Sequence, residues 1–275
     1  MNQSFYPFKR SCIHNVRVES SLTSPKDGMR EGLVLPREWM ELGDIAPYER
    51  VIVTRLGGDN WKNRMYTWAI PGNDVEARGS IGHLLAKGDE CCIISGTYLN
   101  QEQYDSYCPG ELPIPAIDIR FDPDRAIGYN DISQAKKVLE YNPDVQQFQC
   151  TEKDILEQRT NLPRIMLSNL VTGLGVSAIE RRCIEMNAEL PADIMKQAGM
   201  VRNQTIFVYN ASRGGVSAPS YVVPNTRDNN IVISGALSGV AGVGDEISEA
   251  AFVITYGIRT PIIFDEKTGT RYPAS

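Results

Sequence analysis

The residues of this chain best suited to chemistry are a thiol, an imidazole, an arginine and a phenol. Cys12 and His14 stand two apart in Cys12-Ile13-His14-Asn15-Val16-Arg17-Val18. On a strand that spacing turns both side chains to one face. A thiol beside an imidazole can form a reactive ion pair, suited to nucleophilic or acid–base work on a carbonyl. The plainer reading of the same pair, and the stronger one, is a buried thiol on a strand with a hydrogen-bonded histidine. Read alone, Arg64 is a solvated surface arginine after Asn63 and Tyr221 a core aromatic; the chemistry of both is what a family resemblance implies. His83 is the only other histidine. Nothing supplies a fourth ligand to Cys12, His14 and His83, and no Cys-x-x-Cys pair occurs, so no metal site is expected. Cys91 and Cys92 are expected to pack in a strand core.

The elements that must position these groups belong to a folded chain. It has 275 residues, 42% hydrophobic and 23% charged, which excludes disorder as the main state. The net charge of −6 argues against nucleic acid or an anionic membrane surface as a partner. No apolar stretch approaches the ~20 residues that span a bilayer. Met1 to Pro7 carries no apolar run of the secretory kind, so free thiols and a cytoplasmic location are expected.

An internal repeat organises the sequence. Residues 35–53, LPREWMELGDIAPYERVIV, align without a gap to residues 190–208, LPADIMKQAGMVRNQTIFV. Thr67-Trp68-Ala69-Ile70-Pro71 parallels Ser220-Tyr221-Val222-Val223-Pro224, and Gly88-Asp89-Glu90 parallels Gly244-Asp245-Glu246. Three blocks in one order argue duplication. The expected organisation is a first copy over 1–98, a connector over 99–162 and a second copy over 163–275. Short β-branched runs predict strands in each copy, with helices at Pro36–Ile45 and Pro191–Met200, each opening on proline. In the proline-rich connector one helix is predicted from Ser133 to Tyr141.

Each copy resembles the aspartate 1-decarboxylase family, pyruvoyl enzymes that make β-alanine. The first copy carries Cys12 to Val18 where that family has Lys-(Leu/Ile)-His-Arg-x-x-Val. It carries Asn63 to Ile70 for Arg-x-x-Thr-Tyr-Ala-Ile, and Gly79-Ser80-Ile81-Gly82-His83 for Gly-Ala-Ala-Ala-His. The second copy opens Arg164-Ile165-Met166-Leu167, similar to Arg-Thr-Met-Leu. It has Tyr209-Asn210 for a Trp-Asn pair, Ser220-Tyr221 for Thr-Tyr, and Gly235-Ala236-Leu237-Ser238-Gly239 for the alanine loop. The likeness covers about two thirds of the chain. It implies a mainly β fold of two fused double-psi β-barrels. It also implies sites between neighbouring barrels, and a homodimer in place of the family's four-barrel ring.

The likeness also implies site residues. Arg64 would bind a carboxylate, and Tyr221 would move a proton with Cys12 and His14. Thr67, Trp68, Gly79, Ser80, His83, Tyr209, Gly235 and Ala236 would line the substrate. One copy keeps the arginine and the other keeps the tyrosine.

The departures set the expected chemistry. The family cleaves itself at Gly-Ser, and the serine becomes the pyruvoyl group. Here the matching stretches read Arg30-Glu31-Gly32-Leu33-Val34 and Glu185-Met186-Asn187-Ala188, with no serine. The family's active-site lysine becomes Cys12 and Leu170, and neither barrel motif offers a lysine for pyridoxal. Decarboxylation of an amino acid needs an electron sink, usually a carbonyl cofactor. The expectation is therefore an enzyme without a cofactor, acting by acid–base chemistry on a small carboxylate or amino-acid-derived metabolite, in biosynthesis. Two rivals stand: a non-catalytic binding or regulatory paralogue, and a decarboxylase with another sink.

Overall fold

The computed structural model describes residues 5–23, 31–57, 63–107, 116–120, 136–140, 162–181, 186–226 and 228–273. The first repeat contributes β1 (Phe5–Arg17), β2 (Ser20–Leu22), β3 (Gly32–Pro36), β4 (Arg50–Arg55), β5 (Arg64–Gly72), β6 (Glu76–Arg78), β7 (Glu90–Asn100), β8 (Ala116–Arg120) and β9 (Lys136–Glu140). The second contributes β10 (Arg164–Gly175), β11 (Ala178–Glu180), β12 (Asn187–Pro191), β13 (Gln204–Asn210), β14 (Val216–Asn225), β15 (Val232–Ser234), β16 (Glu246–Thr255), β17 (Ile262–Asp265) and β18 (Thr270–Pro273). Four short helices complete the described chain: α1 (Arg37–Leu42), α2 (Ser80–Leu84), α3 (Gln101–Tyr107) and α4 (Ala192–Ala198). None is long and apolar enough to cross a membrane.

Two nine-stranded mixed sheets result, in the orders β2-β6-β3-β5-β4-β7-β1-β8-β9 and β11-β15-β12-β14-β13-β16-β10-β17-β18. The second order is the first with every strand replaced by its counterpart. The backbone repeats in finer detail. Asn15 and Gly173 (φ 56° and 76°), Asp44 and Gly199 (51° and 67°) and Tyr48 and Asn203 (63° and 64°) are left-handed at matching places. Positive φ is unusual for a side chain as large as tyrosine. Its recurrence at the partner position marks a constraint of the fold, not of the local sequence.

The chain is mainly β, in two large mixed sheets, and neither strand order closes on itself among the described residues. The expected helix from Ser133 to Tyr141 is corrected where it is described. Lys136–Glu140 is a strand, β9, antiparallel to β8 with Ala116 opposite Glu140. β8 runs parallel beside β1, so two strands between residues 99 and 162 extend the first sheet, as β17 and β18 extend the second.

Local sequence accounts for the parts that hold the site. β7 alternates buried and half-buried along its whole length, the period of a strand with one face on a core. α1 and α4 begin directly after Pro36 and Pro191, where a fixed φ starts a helix and no N–H is missed. One apolar cluster fills the second repeat. The other crosses the boundary: Leu167, Leu170, Tyr209, Ala250 and Ile263 pack with the core of the first repeat. The seam is aromatic. Trp68 meets Tyr209 edge-on at 5.8 Å, Tyr66 lies 5.6 Å from Phe207, and Phe207 meets Phe252 edge-on at 5.8 Å. Such pairs add about 0.5–1.5 kcal/mol each beyond the area they bury.

Candidate functional site

The two repeats meet head to tail. Trp68 opposes Arg50 across β4 and β5, and Tyr221 opposes Thr205 across β13 and β14, so the two aromatics are structural counterparts. Trp68 is 2% exposed under the second repeat, and Tyr221 is 51% exposed. A self-complementary contact would bury both alike. The face of the first repeat is therefore covered, and the same face of the second is open.

Beneath the seam lies a small cavity. Glu31, Gly32, Thr67, Trp68, Ser80 and the second repeat's Tyr209 are among its walls. Its volume is about 10 Å³, room for roughly one water and no metabolite. The indole Nε1 of Trp68, the hydroxyl of Ser80 and the hydroxyl of Tyr209 are all buried without a hydrogen-bond partner among the described residues. A bridging water would satisfy such groups. Desolvation pushes the Glu31 carboxyl up to about 7, against a hydrogen bond from Ser248 of the second repeat. Burial likewise pushes the Tyr209 hydroxyl well up.

The wall contributed by the second repeat is a row across neighbouring strands. Ser217 opposes Tyr209 and Tyr209 opposes Ser248, with Thr172 next along β10. The counterpart row in the first repeat is Arg64, Thr54, Cys92 and His14. Arg64 opposes Thr54, Thr54 opposes Cys92, and the Cys92 sulfur lies 3.7 Å from His14 Nδ1. Arg64 is exposed, and Thr54, Cys92 and His14 are half-buried. This row stands open.

Sequence reasoning paired His14 with Cys12. The sulfur recorded at the His14 ring is that of Cys92, and Cys12 is a buried neighbour hydrogen-bonded to Cys92. The unshifted register of Cys12 with Ile94 and Ile13 with Ile93 carries on to set His14 at Cys92, and the β-bulge follows before Val16. Cys91 is buried as expected, and Cys92 is not in the core. Strand alternation held that signal, since adjacent residues face opposite sides. The hydrogen bond from Cys12 is the largest cause holding the Cys92 thiol down at about 5, with the Asn15 N–H and His14 adding to it against desolvation. Burial pushes Cys91 well up.

The remaining candidates fall into two places. Thr67, Trp68, Ser80 and Tyr209 share the cavity, and Gly79 is pressed against Glu31, with a Cβ there 2.7 Å from its Cδ. Tyr221 and Ala236 are exposed on the second repeat, and Gly235 beside Ala236 is buried. His83 is exposed on α2. Glu31 was not foreseen, and no local pattern marks it.

The residues do not fit a pyruvoyl group, which forms from a serine: the matching places hold Leu33, buried in β3, and Ala188, buried in β12 opposite Val222. Among the described residues no cluster of three His, Cys, Asp or Glu could hold a metal. No family model matches the chain, and no curated protein matches it.

Proposed function

We propose that the chain is a tandem, unprocessed relative of aspartate 1-decarboxylase, built from two double-psi β-barrels, and that it acts without a cofactor on a small carboxylate or amino-acid-derived metabolite. One observation carries the reading. Tyr209, from the row Ser217-Tyr209-Ser248-Thr172, closes the cavity over Thr67, Trp68 and Ser80 inside the chain, while the counterpart row Arg64-Thr54-Cys92-His14 is half-buried to exposed among the described residues. Repeating the same head-to-tail relation between two chains would close a ring of four repeats. Arg64, Cys92 and His14 of one chain would then face the partner's Tyr221, Ser220, Gly235 and Ala236. Arg64 would grip the substrate carboxylate, the partner's Tyr221 would move a proton, and His14 with Cys92 would serve as acid and base. A cytoplasmic homodimer with a biosynthetic role is the corresponding assembly.

The rival reading is a non-catalytic paralogue, and the cavity inside the chain favours it, since it has room for roughly one water. Decarboxylation through a pyruvoyl group is disfavoured by Leu33 and Ala188, which stand where the serine would be.

The test mixes two variants, Arg64→Gln and Tyr221→Phe, and measures binding of succinate and L-aspartate by calorimetry. Each variant alone should lose binding. Unfolded and reassembled together, they should regain about a quarter of the sites, because half the dimers are mixed and one of their two sites is intact. A monomer by sedimentation, or no recovery on mixing, would overturn the shared site.

A further inference from the structure

The Cys92 sulfur is ringed by donors from three directions. The Cys12 thiol and the backbone N–H of Asn15 hydrogen-bond to it, and His14 Nδ1 lies 3.7 Å away. Asn15 reaches this position from a left-handed conformation, φ 56°, inside the bulge of β1. The Cys12 thiol and the Asn15 N–H, with a His14 nitrogen that donates in one tautomer, favour the thiolate over the thiol. The Asn15 N–H is backbone inside the bulge, so that donor is built into β1. The sulfur is half-buried and therefore reachable, whereas Cys12 and Cys91 are buried.

The row gives the thiolate a neighbour that reads acids. Arg64 stands two strands from Cys92, with Thr54 between them. Two strand spacings are about 10 Å, and an arginine side chain spans most of that distance. A carboxylate on the guanidinium would put a carbon one or two bonds away within reach of the sulfur.

We propose that Cys92 is a nucleophile for short carboxylic acids with an electrophilic carbon next to the acid, and that Arg64 selects them by their carboxylate. The clause about Arg64 rests on the function proposed above; the thiolate site stands within one chain. With an α,β-unsaturated acid, sulfur bonds to the β-carbon and the π pair moves to the α-carbon. That carbon takes a proton from the His14 ring, which solvent replaces. With a haloacetate, sulfur bonds to the methylene carbon and the halide leaves with its electron pair. No oxidant or reductant is needed in either step.

The charged and titratable groups around Cys92 include His14, Cys12 and Arg17 on β1, Cys91 and Glu90 on its own strand, with Glu90 on the same face and opposite Arg17, and Arg64 on β5. Asp118 and Arg120 of β8 stand in register with Cys12 and His14.

The experiment labels the intact protein with iodoacetate and with iodoacetamide between pH 4 and 9, and maps each cysteine by peptide mass. At pH 6 Cys92 should react about tenfold faster than an ordinary thiol, a large gain in thiolate partly offset by lower nucleophilicity. Relative to the other cysteines of the chain, Cys92 should prefer iodoacetate, and Arg64→Gln should abolish that preference without abolishing labelling. Cys12→Ala should move the pH midpoint of Cys92 labelling upward. Labelling of Cys92 only above pH 8 would overturn the nucleophile. Labelling at low pH with no preference for iodoacetate would overturn the carboxylate class and, with it, the role of Arg64 in the proposed function.

Discussion

Arg164, the first residue of β10, reaches into the first repeat and meets Glu49, with Nη1 2.6 Å from Oε2. Glu49 is 0% exposed. Its carboxylate also accepts hydrogen bonds from the Ser95 hydroxyl and from the Ala46 N–H at 2.9 Å. The other Arg164 nitrogen lies 2.5 Å from Asp44, which Arg10 holds at 2.6 Å on its second oxygen. Beside this network Glu49 bridges to Met166, and Leu167 donates its N–H to the Tyr48 carbonyl at 2.9 Å. A buried anion is thus the latch between the repeats.

Removing one partner of a buried ion pair leaves the other charge uncompensated, at a cost of about 3–5 kcal/mol. Arg10 Nη1, 3.6 Å from Glu49 Oε1, still compensates part of that charge, so Arg164→Met should destabilise the protein by less, on the order of 2 kcal/mol, in urea unfolding. Adding Glu49→Gln should restore part of the loss, because the stranded charge is gone. A loss below about 1 kcal/mol would put the pair among weak surface contacts.

The head-to-tail seam predicts unequal costs at counterpart aromatics. Trp68→Ala should cost about 3–5 kcal/mol, the range for emptying a packed aromatic site. Tyr221→Ala should cost under about 1 kcal/mol in dilute protein, where its face is open. If the chain dimerises through that face, the Tyr221→Ala cost should grow with protein concentration. Thermal unfolding at several concentrations reads both.

Much of this seam was legible in the sequence, and the reason is local. The ungapped match from Leu35 to Val53 carries the helix starts at Pro36 and Pro191, and strand pairing keeps Thr67 and Trp68 in register with Ser220 and Tyr221. What sequence missed was set by distant pairing. β9 is a strand because β8 lies beside it, although Ser133 to Tyr141 reads as helical on its own. Cys92 stands at His14 because β1 pairs with the distant β7 in the register that sets Cys12 opposite Ile94. Glu31 acquires its environment only when the second repeat brings Ser248 to it.

Close approach of the two backbones makes a third prediction. A Cβ on Gly215 would lie 2.2 Å from the Ser80 carbonyl oxygen, whereas a Cβ on the neighbouring Gly214 meets nothing within 4 Å. Both glycines are left-handed, at φ 69° and 74°, so alanine at either costs roughly 1–2 kcal/mol of backbone strain. Gly215→Ala should cost clearly more than Gly214→Ala, and the difference reports the contact between repeats. Equal losses in urea unfolding would mean that the approach at Ser80 relaxes freely.

The last prediction concerns a carboxylate with no such latch. Glu249 is 0% exposed in β16, opposite Val208, and neither oxygen has a hydrogen-bond partner among the described residues. Its counterpart in the first repeat is Ile93, opposite Val53. Desolvation pushes the Glu249 carboxyl from 4.5 up to about 8. The unfolded chain therefore releases this proton near pH 4.5 while the folded chain keeps it, so the group's contribution is intact below pH 4.5. It falls as pH rises towards 8 and is level beyond, where both states are ionised. Replacing the acid by the residue that the first repeat uses removes this dependence. Glu249→Ile should gain little at pH 4 and on the order of 3 kcal/mol at pH 8, from the pKa shift and the lost polar burial together. Unfolding curves for both proteins at the two pH values would measure it. A gain that does not grow with pH would mean that Glu249 is paired or solvated when the protein is folded.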